Sequence, residues 1–563
     1  MTAKNNNILM KRILLFSVAF ASILLISCGG NNNEKKKEAV DPKVVRDSLL
    51  QAKVDEYADF KLTADISHLS AKERKILSKL FEASRLVDDI FWLQAFGEKE
   101  SILDTVKGNA AKKFIKINYG PWDRLDGNKP FILGFGEKPL GANFYPTNMT
   151  KDEFDGWDSS EKASEYTLIR RDEAGQLASV PYHVAYSDKI NKIVKLLEQA
   201  ALLAENKQLK KYLTLRAKAL RTDKYYESDL AWMDMKSTNI DFVIGPIENY
   251  EDELYNYKTS YEAYMLIKNQ KETKFYNQFI KYLPKLQKSL PVSSRYKKEV
   301  PGKGSDIGVY EAIFYAGDCN SASKTIAINL PNDSRVQLKK GSRKLMLKNV
   351  MQAKFDAIVK PISEVVIDPD QSKFVTFNAF FQNTMFHEVA HGLGIKATIN
   401  KKGLVRSALK EQYSALEENK ADILGLYMIG ELVKMKALPR KSLMENYVTF
   451  VSGIFRSVRF GAASSHGKAN MATFNYFVDH GAISLNSQTG YYHVNESRMK
   501  SAIRGLSKEI LLLQGNGDYE GAVKRAQAKG VVSASLQKAL KKIDGKHIPR
   551  DLNFIQGAEH VGL

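Results

Sequence analysis

Phe386-His387-Glu388-Val389-Ala390-His391-Gly392 is the stretch on which the reading of this chain turns. It carries the pattern His-Glu-x-x-His. On a helix, positions i and i+4 share a face, so His387 and His391 can aim ring nitrogens at one metal ion. Glu388 sits beside them, placed to take a proton from a water on that metal. Phe381, Thr384, Met385, Val389 and Ala390 supply apolar surface for such a helix, and Gly392 and Gly394 can end it. The five-residue pattern fits a zinc site and a pair of ordinary helix histidines equally well, so other parts of the chain decide.

Two histidines leave zinc short of protein ligands. One common solution is a third histidine six residues after the second, but that position holds Ala397. Another is a glutamate on a later helix. Leu416-Glu417-Glu418-Asn419-Lys420-Ala421-Asp422 lies in a segment, 415–433, whose apolar spacing predicts a helix. Glu418 and Asp422 share a face there. Glu418 suits the third ligand, Asp422 suits a carboxylate that orients a ligand histidine, and Glu417 suits the same task for the other ring.

The rest of the chain sets the context. Its 563 residues carry a net charge of +20, and length alone suggests about two to four domains. The lysines are scattered through amphipathic segments among many acids, which reads as solvated surface. With no arginine-rich block, no nucleic-acid partner is expected. Lys4, Lys11 and Arg12 precede the apolar run 13–26, which ends in Leu25-Ile26-Ser27-Cys28. This resembles a bacterial lipobox, with Cys28 acylated and the protein held at the membrane of the cell envelope. A polar tether follows. Cys319 is the other cysteine. Helices are expected over 44–57, 69–93 and 190–221, the last broken near Asn206. A strand is expected over 166–171. The segment 240–250 is expected to begin as a strand and turn at Gly245-Pro246. Glu251-Asp252-Glu253 is expected to open a helix reaching Lys268. Residues 325–332 read as a strand ending in an Asn-x-Pro-Asn loop.

Together the two motifs resemble the dipeptidyl-peptidase III family of zinc metallopeptidases. The likeness extends to Tyr119–Asp126, Gly141–Pro146, Ile244–Leu254, Ile328–Asn332 and Ser465-His466-Gly467-Lys468-Ala469-Asn470. It implies an α+β fold of two lobes around a wide cleft, one mostly helical and zinc-binding, the other mixed with a β-barrel-like core. The implied boundaries are a lipoprotein signal at 1–28, a tether at 29–44, mixed lobe at 45–262, helical lobe at 263–306, mixed-lobe strands at 307–350, the zinc-binding lobe at 351–540, and a segment returning to the mixed lobe at 541–563. By resemblance, His387, His391 and Glu418 bind one zinc ion. Glu388 is general base and acid, Glu417 and Asp422 support the ligands, and His466 assists the transition state. Asn329, Asn332 and Asp241 hold the peptide and its amino end. The expected function is release of dipeptides from short peptides by a monomer.

Two positions depart from the family pattern, which has a tyrosine two residues after the acidic position and an arginine four residues after His466. They are read here as Val243 and Asn470. A missing oxyanion donor costs about 2.7–4 kcal/mol, so Tyr250 or His466 would have to replace it. An endo-oligopeptidase mode and a peptide-binding lipoprotein with a decayed site stay open as alternatives.

Overall fold

A helix-period pattern after Pro42 folds as α1 (Pro42–Asp55) and leads into β1 (Tyr57–Lys61). Ser70 then starts α2 (Ala71–Ala95). Its hydroxyl accepts the Glu73 N–H while the Glu73 carboxylate accepts the Ser70 N–H, a complete capping box. Helices α3 (Ser187–Leu203) and α4 (Lys207–Leu220) are separated where Asn206 caps the second of them. This is a computed structural model, which describes residues 42–298, 306–459 and 464–563. Residues 47–563 form one compact body. Cys28 and the tether up to residue 41 lie outside the described residues, and residues 42–44, expected as tether, are already helix.

Five strands make the central sheet: β2 (Ile240–Glu248), β3 (Ser260–Lys268), β4 (Asp306–Gly317), β5 (Ala327–Leu330) and β6 (Arg343–Leu347). Their spatial order is β2-β3-β4-β6-β5. Only the β4–β6 pair is parallel. The sheet curls into a half-barrel.

Two local expectations fail here. Residues 260–268 are strand rather than helix, and every one of them is buried. A strand covered on both faces shows no alternation, which is why its apolar run resembled a helix. The acids before it serve other ends. Glu251 pairs with Arg124 and Lys138, while Asp252 accepts the backbone N–H groups of Leu254, Tyr255, Tyr257 and Lys258 and so holds a turn. The chain also does not turn at Gly245-Pro246. β2 runs on to Glu248 with an irregularity between Pro246 and Glu248. It is an edge strand, where proline removes no ladder bond, and Gly245 takes φ +144°.

Two large hydrophobic cores underlie the two lobes. The first joins α2, α3, α4 and the inner face of the sheet. The second joins α5 (Phe377–Ala390), α6 (Tyr413–Lys434), α7 (Ser465–Asp479) and α8 (Glu496–Asn516). Alternation assigns the faces of β6, with Leu345 and Leu347 in the first core and Met346 in the second. The sheet therefore turns its outer face toward α5. Near the C-terminal end, β7 (Asp551–Ile555) pairs in parallel with β1.

Candidate metal centre and substrate cleft

Helix α5 begins where the Thr376 hydroxyl caps Ala379 N–H, and ends at His391, whose own N–H still bonds back to His387 O. Gly394, at φ +91°, then turns the chain away. Helix α6 crosses α5 closely. A Cβ on Gly425 would lie 3.1 Å from the backbone nitrogen of His387 and 3.2 Å from the carbonyl carbon of Phe386. A glycine at the crossing lets the second motif reach the first.

Each histidine of the pair is fixed through Nδ1. His387 Nδ1 lies 2.6 Å from Asp422 Oδ1, and His391 Nδ1 lies 3.0 Å from Glu417 Oε1. Both carboxylates are held in turn. Asn470 Nδ2 donates to Asp422 Oδ2 at 3.1 Å. Gln514 Nε2 donates to Glu417 Oε2 at 2.9 Å, and Lys420 Nζ sits 2.8 Å from Glu417 Oε1. A carboxylate at Nδ1 keeps the proton there, so each Nε2 presents a lone pair.

Those lone pairs converge. The two Nε2 atoms are 3.3 Å apart, and Glu418 Oε2 lies 3.3 Å from His387 Nε2 and 3.8 Å from His391 Nε2. His466 Nδ1 approaches the same oxygen to 3.1 Å. His387, Glu418 and His466 by themselves are close enough to share an ion, and His391 faces the same point from α5. Glu418 Oε2 is buried yet receives no well-formed hydrogen bond. Two imidazole nitrogens and a carboxylate oxygen packed this closely need a proton or a cation among them, and a metal ion satisfies all three at once. The donor set fits a metal ion. Burial opposes charge on His387, but Asp422 and Glu418 outweigh it and push the ring's pKa well up. Burial likewise opposes ionisation of Glu418, yet His387, His466 and His391 bring it down to about 2.

The other expected residues divide. Glu388 is on α5 beside His387, half-buried. Asn329 lies on β5, its Oδ1 buried and without a hydrogen-bond partner. Asn332 Nδ2 donates to Ile247 O at 3.1 Å and Glu248 Oε1 at 3.3 Å. Asp241 is not in the cleft. It is fully buried, paired with Arg343 and accepting from Trp232 Nε1 and Tyr310 Oη, so it cannot meet a substrate's amino end. The acidic residue beside Asn332 is Glu248. Tyr250 follows it by two residues, the spacing of the acidic-x-tyrosine pair, and its side chain is exposed. The nearby Glu248 charge is the largest influence on the Tyr250 phenol and pushes its pKa up. The acidic-x-tyrosine spacing sought at Asp241 and Val243 occurs seven residues later, at Glu248 and Tyr250. Val243 instead helps line a cavity of about 370 Å³ with Tyr212, Trp232, Ile247, Pro331 and Asn332. Asn470 remains a departure, and its amide braces Asp422. Gln514 had no local signature, because its partner Glu417 lies 97 residues away in the chain, whereas Lys420 reaches Glu417 from within the second motif itself.

Residues 141–421 match the family described as peptidase family M49. The dipeptidyl-peptidase III structure from Caldithrix abyssi superposes with a TM-score of 0.87 at 37% identity, covering 91% of this chain and 99% of that one. The chain belongs to peptidase family M49. A second M49-like fold, dipeptidyl-peptidase III from Corallococcus sp. strain EGB, gives a TM-score of 0.81 at 34% identity over 90% of this chain and 97% of that one. A plant protein named Nudix hydrolase 3, from Arabidopsis thaliana, is 33% identical over 570 residues, which is 90% of this chain and 73% of that protein. The M49 match places the present chain among peptidases and gives the converging His/Glu cluster its context in a metallopeptidase family.

Proposed function

We propose that this M49 peptidase uses one zinc ion to release dipeptides from the amino end of short peptides. The observation that carries this is the convergence of the His387 and His391 Nε2 atoms on an unsatisfied Glu418 oxygen. His387, His391 and Glu418 would hold the ion, which when bound supplies Lewis acidity toward the scissile carbonyl. Asp422 and Glu417 keep the two rings in the required tautomer. Glu388 takes the proton of the attacking water and delivers it to the leaving amine. His466 and Tyr250 stand on the cleft side to donate to the oxygen that gains charge. Asn332 with Glu248 forms the end wall that receives the free amino group, and the adjoining cavity takes the first side chain. That wall favours exopeptidase action over an endo mode.

A lipid on Cys28 is proposed to hold the protein in the bacterial cell envelope, and the chain is proposed to act as a monomer, since one chain supplies every group named. The test is product analysis on peptides with free and blocked amino ends, using zinc-loaded protein and its Glu388→Ala variant. Cleavage that persists in that variant, or that ignores the amino block, defeats the proposal.

A further inference from the structure

Lys344 is a buried cation without an anion. It is 3% exposed, and its ammonium donates to Ser342 Oγ at 3.2 Å. Among the described residues no carboxylate comes within 4.0 Å of it. Removing an ammonium from water without a counter-charge is costly, so a sequence that keeps one there does so against stability.

Its placement gives the reason. Lys344 stands directly opposite Asn329 in the antiparallel β5–β6 pair, so both side chains leave the sheet on one face. That face also carries Met346 of the second core and is the one in contact with α5. Asn329 contributes a buried, unpartnered carbonyl oxygen to it. The charges facing Lys344 come from three elements: Glu388 on α5, Lys396 just after it, and Asp306 at the start of β4. The unpaired cation and the unpaired acceptor thus lie side by side, facing the proposed base.

Their place along the chain relative to Asn332 suggests which part of a peptide they meet. Asn332 lies three residues beyond Asn329, just past the end of β5, so the two stand at most about 10 Å apart. Two extended residues of a substrate cover about 7 Å. A peptide whose amino group rests at Glu248 and Asn332 would extend its third residue past Asn329 toward Lys344 and Glu388. We infer that Lys344 receives a carboxylate carried by the first residue beyond the cleaved bond, while Asn329 Oδ1 accepts a neighbouring backbone N–H. The carboxylate can be the C-terminus of a tripeptide or the side chain of an aspartate or glutamate at that place. This inference rests on the peptidase reading above.

The experiment compares kcat/KM of the zinc-loaded enzyme on Ala-Ala-Ala, Ala-Ala-Ala amide and Ala-Ala-Asp amide. The wild type is expected to favour a carboxylate-bearing peptide over the plain amide at least tenfold, mainly through KM. In Lys344→Gln, and in Lys344→Met as a second neutral variant, the ratio should fall to within threefold, while Lys344→Arg should keep most of it. Thermal unfolding of each variant checks that the fold persists. An advantage limited to the free acid assigns the C-terminus, and one limited to the aspartyl amide assigns the side chain. A wild-type ratio within threefold, or a ratio that survives both neutral variants, overturns the inference. If zinc-loaded wild type fails on Ala-Ala-Ala-Ala amide as well, the peptidase reading itself has failed.

Discussion

Asp422 and Glu417 work by holding rings, so their loss should be read first in metal binding. Asp422→Asn is expected to lower zinc affinity about 10- to 100-fold, measured by competition with a chelator, with the fold intact. A different titration concerns Asp318. Burial first, then the charges of Glu251 and Glu248, raise its pKa from 3.8 to about 7, against the opposing pull of Arg124 and Lys138. Its folded pKa lies above the unfolded one, so the folded chain keeps the proton while the unfolded chain releases it. Destabilisation accumulates from about pH 4 to about pH 7 and is constant above. Asp318→Asn should therefore add up to about 4 kcal/mol of stability at pH 8 and almost none at pH 3.5, read from denaturant melts at both pH values. At this scale the sequence was legible where partners are fixed by helical spacing, as for His387, His391, Glu418 and Asp422. It was not legible for Asp241, whose fate depends on Arg343, a hundred residues away in the chain.

Elements explain why those residues meet. The α5–α6 crossing depends on Gly425, whose Cβ would press on backbone rather than on a flexible side chain. Gly425→Ala is expected to cost about 1–3 kcal/mol and to weaken metal binding more than Gly453→Ala, at a helix position where an added Cβ meets nothing within 4 Å. Equal effects from the two substitutions would show that the crossing does not set the site. Helices with one solvated face announced themselves by periodicity, down to the Ser70 capping box and the break at Asn206. β3 did not, because a strand buried on both faces has no polar side to mark its period. The same edge of the sheet misled the reading of β2, where Gly245-Pro246 is a signal for a turn in most contexts and a tolerated irregularity on an edge strand.

Across the whole molecule, two cores meet at the outer face of a curled sheet, and the metal ligands belong to one of them. The second core is large enough to persist without the ion. Chelation should therefore leave the helical circular dichroism intact while lowering the unfolding midpoint. The lost stability should equal the binding term, about 4 kcal/mol at a free zinc concentration a thousand times Kd. Loss of secondary structure on chelation would instead make the ion a folding requirement. The two-lobe layout was readable from the family resemblance of the motifs, whereas the path by which the chain crosses between cores was not, since it is set by sheet order.

The β1–β7 pairing has a consequence for how the protein is made. Partners in this two-stranded sheet are separated by as much as 494 residues. At about 5–20 residues per second, a ribosome exposes β1 about 25 to 100 seconds before its partner exists. Throughout that interval the first strand is an open edge, able to pair with a neighbouring nascent chain. A product stopped short of Asp551 would remain in that condition permanently, marking truncated translation products for aggregation or degradation.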